Sequence, residues 1–273
     1  MRKGRIMEEQ LNTEPGKGRK VTPKKVILFF LFLCLVVIAV LLGMRLKQVK
    51  DDDEKQDEIV HELQDEKDKD GVKKLHKKYK DMIGWVKING TEFSYPVMQT
   101  GTKGHHKDDW MYYLHKDVKG NYSFYGTPFL DVRCTVDSDN LIIYGHNING
   151  RRYFGYLQNF REESFFRKHK SFYFTKVNDE ETTYQVVAVI ETTKYAPYYD
   201  FTDYGNDQEY ADAVSRILSG SKFHNDMNKR LKKELNENTV EAFFHKYQFV
   251  SLSTCRTSEG HDKRLLVIGC RER

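Results

Sequence analysis

The stretch that decides the fold is Gln248-Phe249-Val250-Ser251-Leu252-Ser253-Thr254-Cys255, followed by the polar loop from Arg256 to Lys263 (RTSEGHDK) and by Arg264-Leu265-Leu266-Val267-Ile268-Gly269. Side chains alternate along an extended chain, so Val250, Leu252 and Thr254 share one face while Ser251, Ser253 and Cys255 share the other. With the aliphatic residues on the core face, the thiol faces elsewhere. That is odd for a structural cysteine, which is usually a buried and inert hydrophobe. The second apolar run returns beside the first as a hairpin and brings Arg264 near Cys255, because facing residues of an antiparallel pair have Cβ atoms about 5 Å apart. Taken alone, an arginine at a strand start is more often a plain surface residue.

Outward from this hairpin, Asn140-Leu141-Ile142-Ile143-Tyr144-Gly145-His146-Asn147 reads as an aliphatic strand that delivers an imidazole where it meets solvent. Any one of the ten histidines is more often a solvated or packing residue. The case for His146 is its chemistry with a thiol. A cysteine with a pKa of about 8.5 is only a few per cent thiolate at neutral pH, and a neighbouring imidazole or guanidinium raises that share. Other strands are expected at 85–88 and 91–99 around an Asn89-Gly90 hairpin turn, and at 127–132, 171–177 and 182–192. Helices are expected at 153–168, 207–219 and 223–235. Regular strand and helix alternation is missing, which disfavours a doubly wound sheet. The pattern fits a mainly β fold with inserted helices (α+β), a closed or nearly closed barrel.

From Val26 to Met44 no charge occurs for 19 residues, about the length that crosses a bilayer core of roughly 30 Å as a helix. The basic residues before it, and Asp51, Asp52 and Asp53 after it, orient the N-terminus towards the cytoplasm by the positive-inside bias. A cleaved signal peptide is the competing reading, but the run is long for one and no small-residue cleavage site follows Met44. The expected organisation is a basic tail (1–25), a transmembrane helix (26–44), a charged extracellular stalk (45–71) and a catalytic domain (72–273). Within residues 51–80, 19 of 30 positions are charged, a composition that buries little. Val72, Leu75, Tyr79, Met82 and Ile83 recur at helical spacing and predict a docking helix over 72–83, with the barrel from 85 onward.

The chain has 273 residues, 39% hydrophobic and 13% aromatic, enough for one packed domain plus appendages. Its net charge of +5, against 45 basic and 40 acidic residues, calls for no nucleic-acid partner. The four cysteines, Cys34, Cys134, Cys255 and Cys270, form no C-x-x-C pair, so neither a disulfide framework nor a thiolate zinc site is indicated.

The anchor, the Tyr-Gly-His-Asn strand end, Leu-Ser-Thr-Cys and an arginine nine residues later together resemble a sortase, and within that family class B. Over about residues 72–273 the resemblance takes in Gly-Trp-Val-Lys-Ile, Tyr-Pro-Val, Gly-Thr-Pro-Phe-Leu-Asp at 126–131 and a helical insertion between about Lys194 and His245. It implies a sortase β-barrel, preceded by a transmembrane helix and a helical stalk. It also implies a cysteine transpeptidase that cleaves a sorting signal of the Asn-Pro-x-Thr or Leu-Pro-x-Thr type after Thr. Cys255 would be the nucleophile, His146 the proton-transfer partner and Arg264 the oxyanion stabiliser, with Ser253, Leu114 and Tyr198 in the substrate-binding wall. The partners implied are sorting-signal-bearing secreted proteins of a Gram-positive cell and an amino group of a cell-wall peptide or lipid-linked precursor; no cofactor or metal is implied. Two departures stand out: Ser251 where many members have Thr, and Trp110 where the family often has Asn.

Other readings bear on the same residues. The papain and caspase signatures are absent. A catalytically silent, membrane-tethered binding module would leave Cys255 merely packed. His105, His106 and His115 lie in a Lys/Asp-rich stretch without ligand-grade spacing and read as solvated loop residues rather than a metal site. Cys270 lies on the strand that returns beside Cys255, where a disulfide would block the nucleophile; packing is the favoured role for it and for Cys134. The tyrosines at 195, 198, 199 and 204 could line a peptide groove or pack the underside of the insertion.

Overall fold

A computed structural model of the chain describes residues 23–64, 69–100, 109–148, 152–177, 181–256 and 260–273. The chain divides into two compact units, Met1–Gln48 and Val49–Arg273. Helix α1 (Pro23–Gln64) is continuous for 42 residues, and its stretch Pro23–Asp52 is long and apolar enough to cross a membrane. Helical structure thus continues past the expected end at Met44 into the charged segment, where close-spaced Lys and Glu such as Lys50 and Glu54 pair along the helix surface.

Helix α2 (Lys69–Lys78) stops short of the expected 72–83. Val72, Leu75 and Tyr79 are buried as the helical stripe requires. Met82 and Ile83 instead open strand β1 (Met82–Lys87), because Met82 pairs with Met98. The His76 ring bonds the Met82 carbonyl at 2.7 Å across the break. Strand β2 (Ser94–Met98) follows. The Asn89-Gly90 turn is present, with Gly90 at φ +73°, but it sits in a wider loop closed by Ile88 N–H donating to the Phe93 carbonyl at 2.9 Å.

Six more strands complete the barrel: β3 (Phe129–Leu130), β4 (Asn140–Tyr144), β7 (Ser171–Lys176), β8 (Glu181–Thr193), β9 (Tyr247–Cys255) and β10 (Lys263–Glu272). β3 is much shorter than the expected 127–132. Their order β1-β2-β3-β4-β9-β10-β8-β7 closes on itself, which leaves the barrel without an edge strand. A separate pair, β5 (Asn147–Ile148) with β6 (Arg152–Tyr153), projects after β4. Residues 153–168 form a 3-10 segment (Phe154–Arg161) and helix α3 (Glu163–Lys168) rather than one helix. The insertion before β9 carries α4 (Asp207–Gly220), α5 (Asp226–Glu237) and α6 (Val240–Phe243), capped by the Asn206, Asn225 and Thr239 side chains.

The pairing that matters most is β4 with β9. It is parallel, with Tyr144 beside Ser253 and Ile142 beside Ser251, and a parallel neighbour needs a long crossover; here the crossover is everything between the two strands. Tyr247 to Thr254 are buried without a break, so β9 does not have the open second face expected from its serines. Ser251 Oγ donates to Asn140 Oδ1 at 2.9 Å, and Ser253 Oγ is 2.9 Å from the Tyr199 hydroxyl. The serines sit on that face because they bond, not because water reaches them.

Candidate active site

Sheet register builds the site. Cys255 stands directly opposite Arg264 in the β9–β10 hairpin, so both side chains leave the same face. On the other side of β9, the parallel register ends at Tyr144–Ser253, and hydrogen bonds carry it further. Gly145 N–H donates to the Ser253 carbonyl at 3.1 Å, and Thr254 Oγ1 donates to the Gly145 carbonyl at 2.9 Å. His146 therefore lies abreast of Cys255, on the strand neighbour opposite to Arg264. Gly145 is needed for this approach: a Cβ there would lie 2.4 Å from the Phe154 ring.

Two side-chain amides fix the carbonyl of Cys255, Asn147 Nδ2 at 2.7 Å and Gln158 Nε2 at 3.2 Å. The residue after the cysteine, Arg256, is buried and reaches Glu191 at 2.9 Å; Glu191 also pairs with Arg161 at 3.1 Å and Lys222 at 3.2 Å. Burial would raise the Glu191 carboxyl, but these cations hold it below the usual carboxylate range. The nucleophile strand thus ends against a charged brace.

His146, Cys255 and Arg264 line one cleft of about 770 Å³. The His146 ring bonds the Leu114 carbonyl, while its buried Nε2 has no partner among the described residues. Made by the other ring nitrogen, that bond favours the tautomer protonated at Nδ1 and leaves Nε2 without a proton. Burial first, then the His115 imidazole, push the His146 pKa below the ordinary histidine value, against the bond to Leu114. Arg264 Nη1 donates to the carbonyls of His261 at 2.7 Å and Lys263 at 3.0 Å. Those two bonds brace the guanidinium through one nitrogen and leave the rest of its fork for an anion.

The cleft floor is a network that sequence patterns did not reveal. The Asp131 carboxylate accepts from Arg133 Nε at 3.0 Å, Arg133 Nη2 at 2.8 Å and the Tyr144 hydroxyl at 2.8 Å. Burial raises the Asp131 carboxyl, but the Arg133 side chain and backbone N–H and Tyr144 outweigh it and hold the group below its usual range. Arg133 also donates to the Tyr199 carbonyl at 2.9 Å, and the Tyr199 ring stacks on Tyr144 with centroids 6.2 Å apart. The Asp-x-Arg spacing at 131–133 was the only local signal. Trp110, 47% exposed, lines the cleft and meets Tyr144 edge-to-face with ring centroids 6.1 Å apart.

Of the expected wall residues, Leu114 lines the cleft. Ser253 lines it too, but it is 1% exposed and committed to Tyr199. Tyr198 does not line it: its hydroxyl lies where a Cβ on Gly220 would be, 2.2 Å away, so it packs on α4, and its neighbour Tyr199 faces the cleft instead. The hydroxyl of Tyr199 is pushed up to about 12 by burial, against its bond to Ser253 and the charge of Arg264. Cys270 pairs with Phe249, six residues along β10 from Arg264 and so roughly 20 Å from Cys255 at about 3.3 Å per residue. It is buried and free. Cys134 is likewise buried, its thiol pushed up to about 12 by burial. His105 and His106, like Asp108, lie outside the described residues; His115 sits beside His146, with ring centroids 5.2 Å apart.

Comparison with known proteins gives a consistent picture. No protein-family model matches the chain. It is 27% identical over 248 residues to Sortase B of Staphylococcus aureus, covering 86% of this chain and 92% of that protein. To Sortase B of Listeria monocytogenes it is 29% identical over 203 residues, covering 73% of each. Among solved structures it is similar to a Staphylococcus aureus sortase B–substrate complex, with a TM-score of 0.65 and 25% identity, covering 81% of this chain and 98% of that one. A sortase B crystallised in complex with triglycine is similar with a TM-score of 0.64 and 26% identity, covering 81% and 99%.

Proposed function

We propose that the chain is a class B sortase, a membrane-tethered cysteine transpeptidase acting outside the cell. Cys255 passes its thiol proton to the bare Nε2 of His146 and, as the thiolate, attacks the Thr carbonyl in a sorting signal of the Asn-Pro-x-Thr or Leu-Pro-x-Thr type. As the sulfur–carbon bond forms, the carbonyl electrons move to oxygen, and the Arg264 guanidinium bears that negative charge. Collapse breaks the peptide C–N bond; His146 gives its proton from Nε2 to the departing amine and leaves a thioester on Cys255. An incoming amine then loses its proton to the same Nε2, displaces the thiolate and forms the new amide, and the thiolate takes that proton back to restore the thiol and the bare Nε2. Atoms and protons balance over the cycle without oxidant or cofactor.

The observation that carries this reading is the convergence of three strand termini on one face beside one cleft. The tautomer selected by the Leu114 carbonyl supports it, since it directs the proton traffic to Nε2. Domain limits of 1–25 for a cytoplasmic tail, 26–44 for the span, 45–71 for the stalk and 72–273 for the catalytic domain fit the same proposal. The acceptor is an amino group of the cell wall or its precursor, and triglycine, which a solved sortase B binds, is a suitable stand-in. The test incubates the full chain in detergent with sorting peptides of both types and triglycine. Cleavage after Thr and a joined product carrying the glycines are expected. Intact peptides under all conditions would defeat the proposal.

A further inference from the structure

The 3-10 turn Tyr112–His115 touches His146 twice. Its Leu114 carbonyl accepts the ring's hydrogen bond. Its last residue, His115, presents a second imidazole to the first, with centroids 5.2 Å apart and planes tilted by 42°. His115 is itself held in place: Tyr122 stacks on its ring at 6.4 Å and 13°, and its carbonyl accepts the Ser123 N–H at 3.0 Å. The turn cannot back away, because Gly126 packs so closely that a Cβ there would lie 2.2 Å from the Leu114 carbonyl oxygen.

Two imidazoles this close resist carrying protons together, since like charges disfavour each other's ionised form. We infer that His115 is a positioning residue for the transfer chemistry, keeping His146 in its neutral, Nδ1-protonated form so that Nε2 stays open between proton transfers. The inference rests on the transpeptidase reading above. The groups around His146 come from several elements: His115 from the turn, Cys255 from β9, Arg264 from β10, Tyr144 from β4, and around the cleft the Asp131–Arg133 pair and Lys194. After burial, the His115 imidazole is the neighbour that disfavours a proton on the His146 ring. Around His115 stand His146, Tyr122 and, next in the chain, Lys116, whose Nζ lies over the Tyr112 ring at 5.6 Å.

The test titrates the histidines of the full chain in detergent micelles by NMR, with carbon-13 in the imidazole rings. In His115→Gln the His146 midpoint rises by about half a pH unit, the size of a water-screened like-charge interaction at this spacing. His115→Phe, which keeps a ring against Tyr122, gives the same rise, whereas His115→Arg holds the midpoint at or below that of the parent. In His115→Gln the limb of the pH–rate profile for Cys255 acylation that reports His146 moves up by the same amount. An unmoved midpoint, a parental midpoint in His115→Phe, or a moved midpoint with an unmoved rate profile overturns the inference. The titration needs no turnover, so sorting peptides that fail to react in the parent would tell against the transpeptidase reading and leave the His115–His146 coupling measured on its own.

Discussion

Replacing Asn147 with Ala tests whether the nucleophile is held or merely present. Asn147 follows His146 in sequence, and its amide bonds the Cys255 carbonyl at 2.7 Å, so one side chain ties the histidine segment to the cysteine strand. Gln158 still reaches that carbonyl at 3.2 Å, and Asn147→Ala therefore leaves no orphaned acceptor. The loss is that of an ordinary hydrogen bond, about 1 kcal/mol, which lowers Tm by roughly 2–4 °C for a domain of this size. If the same energy serves the reacting geometry, single-turnover acylation slows about five- to tenfold with little change in KM. Rapid-quench mass spectrometry reads the rate, and a thermal melt reads the stability. Adding Gln158→Ala removes both amides, and the double variant loses more than the sum of the singles. A Tm drop with acylation within twofold of the parent would refute the reasoning and leave Asn147 as a purely structural bond.

Asp131→Asn breaks the cleft floor and costs about 1–3 kcal/mol, the worth of hydrogen bonds to a charged group. Because the folded Asp131 pKa is depressed, its stabilisation is present above the unfolded carboxylate value and is lost as pH falls through the lower folded value. Denaturant titrations across that acid range should show a pH-dependent loss in the parent that shrinks in Asp131→Asn. Gly126→Ala places a methyl on a residue at φ +61° and 2.2 Å from the Leu114 carbonyl oxygen; a Tm loss of several degrees with slowed acylation is expected, and a melt at the parental temperature would contradict it. The chain should stay with membranes after alkaline carbonate washing, while a version lacking residues 1–44 should be released; equal release of both would count against the anchor.

How much of this was legible beforehand follows from the range of the interactions. The β9–β10 hairpin was readable because its information is local: period-two alternation, a polar loop and an apolar return. The Cys255–Arg264 pairing follows from it. The approach of His146 to Cys255 was not derivable, because it depends on a parallel β4–β9 pairing across a crossover of about a hundred residues, and no local pattern encodes such a pairing. Met82 and Ile83 continue a helical stripe in sequence, yet sheet pairing with Met98 takes them into β1. The serines of β9 look like a solvent face until Tyr199 and Asn140 bond them. Tyr198 and Tyr199 are equivalent in composition, and only the 3-10 turn Pro197–Tyr199 decides which of them reaches the cleft. His115 looks like a solvated loop histidine until the turn brings it against His146.

The central claim is that Cys255 carries the acyl group. Acid-stopped mixtures of the full chain with Asn-Pro-x-Thr and Leu-Pro-x-Thr peptides, read by intact-protein and peptide-map mass spectrometry, test it directly. The account predicts an adduct of the peptide up to Thr, on Cys255 alone, cleared by hydroxylamine and absent in Cys255→Ala. No adduct with either peptide class, or the same adduct persisting in Cys255→Ala, would contradict it.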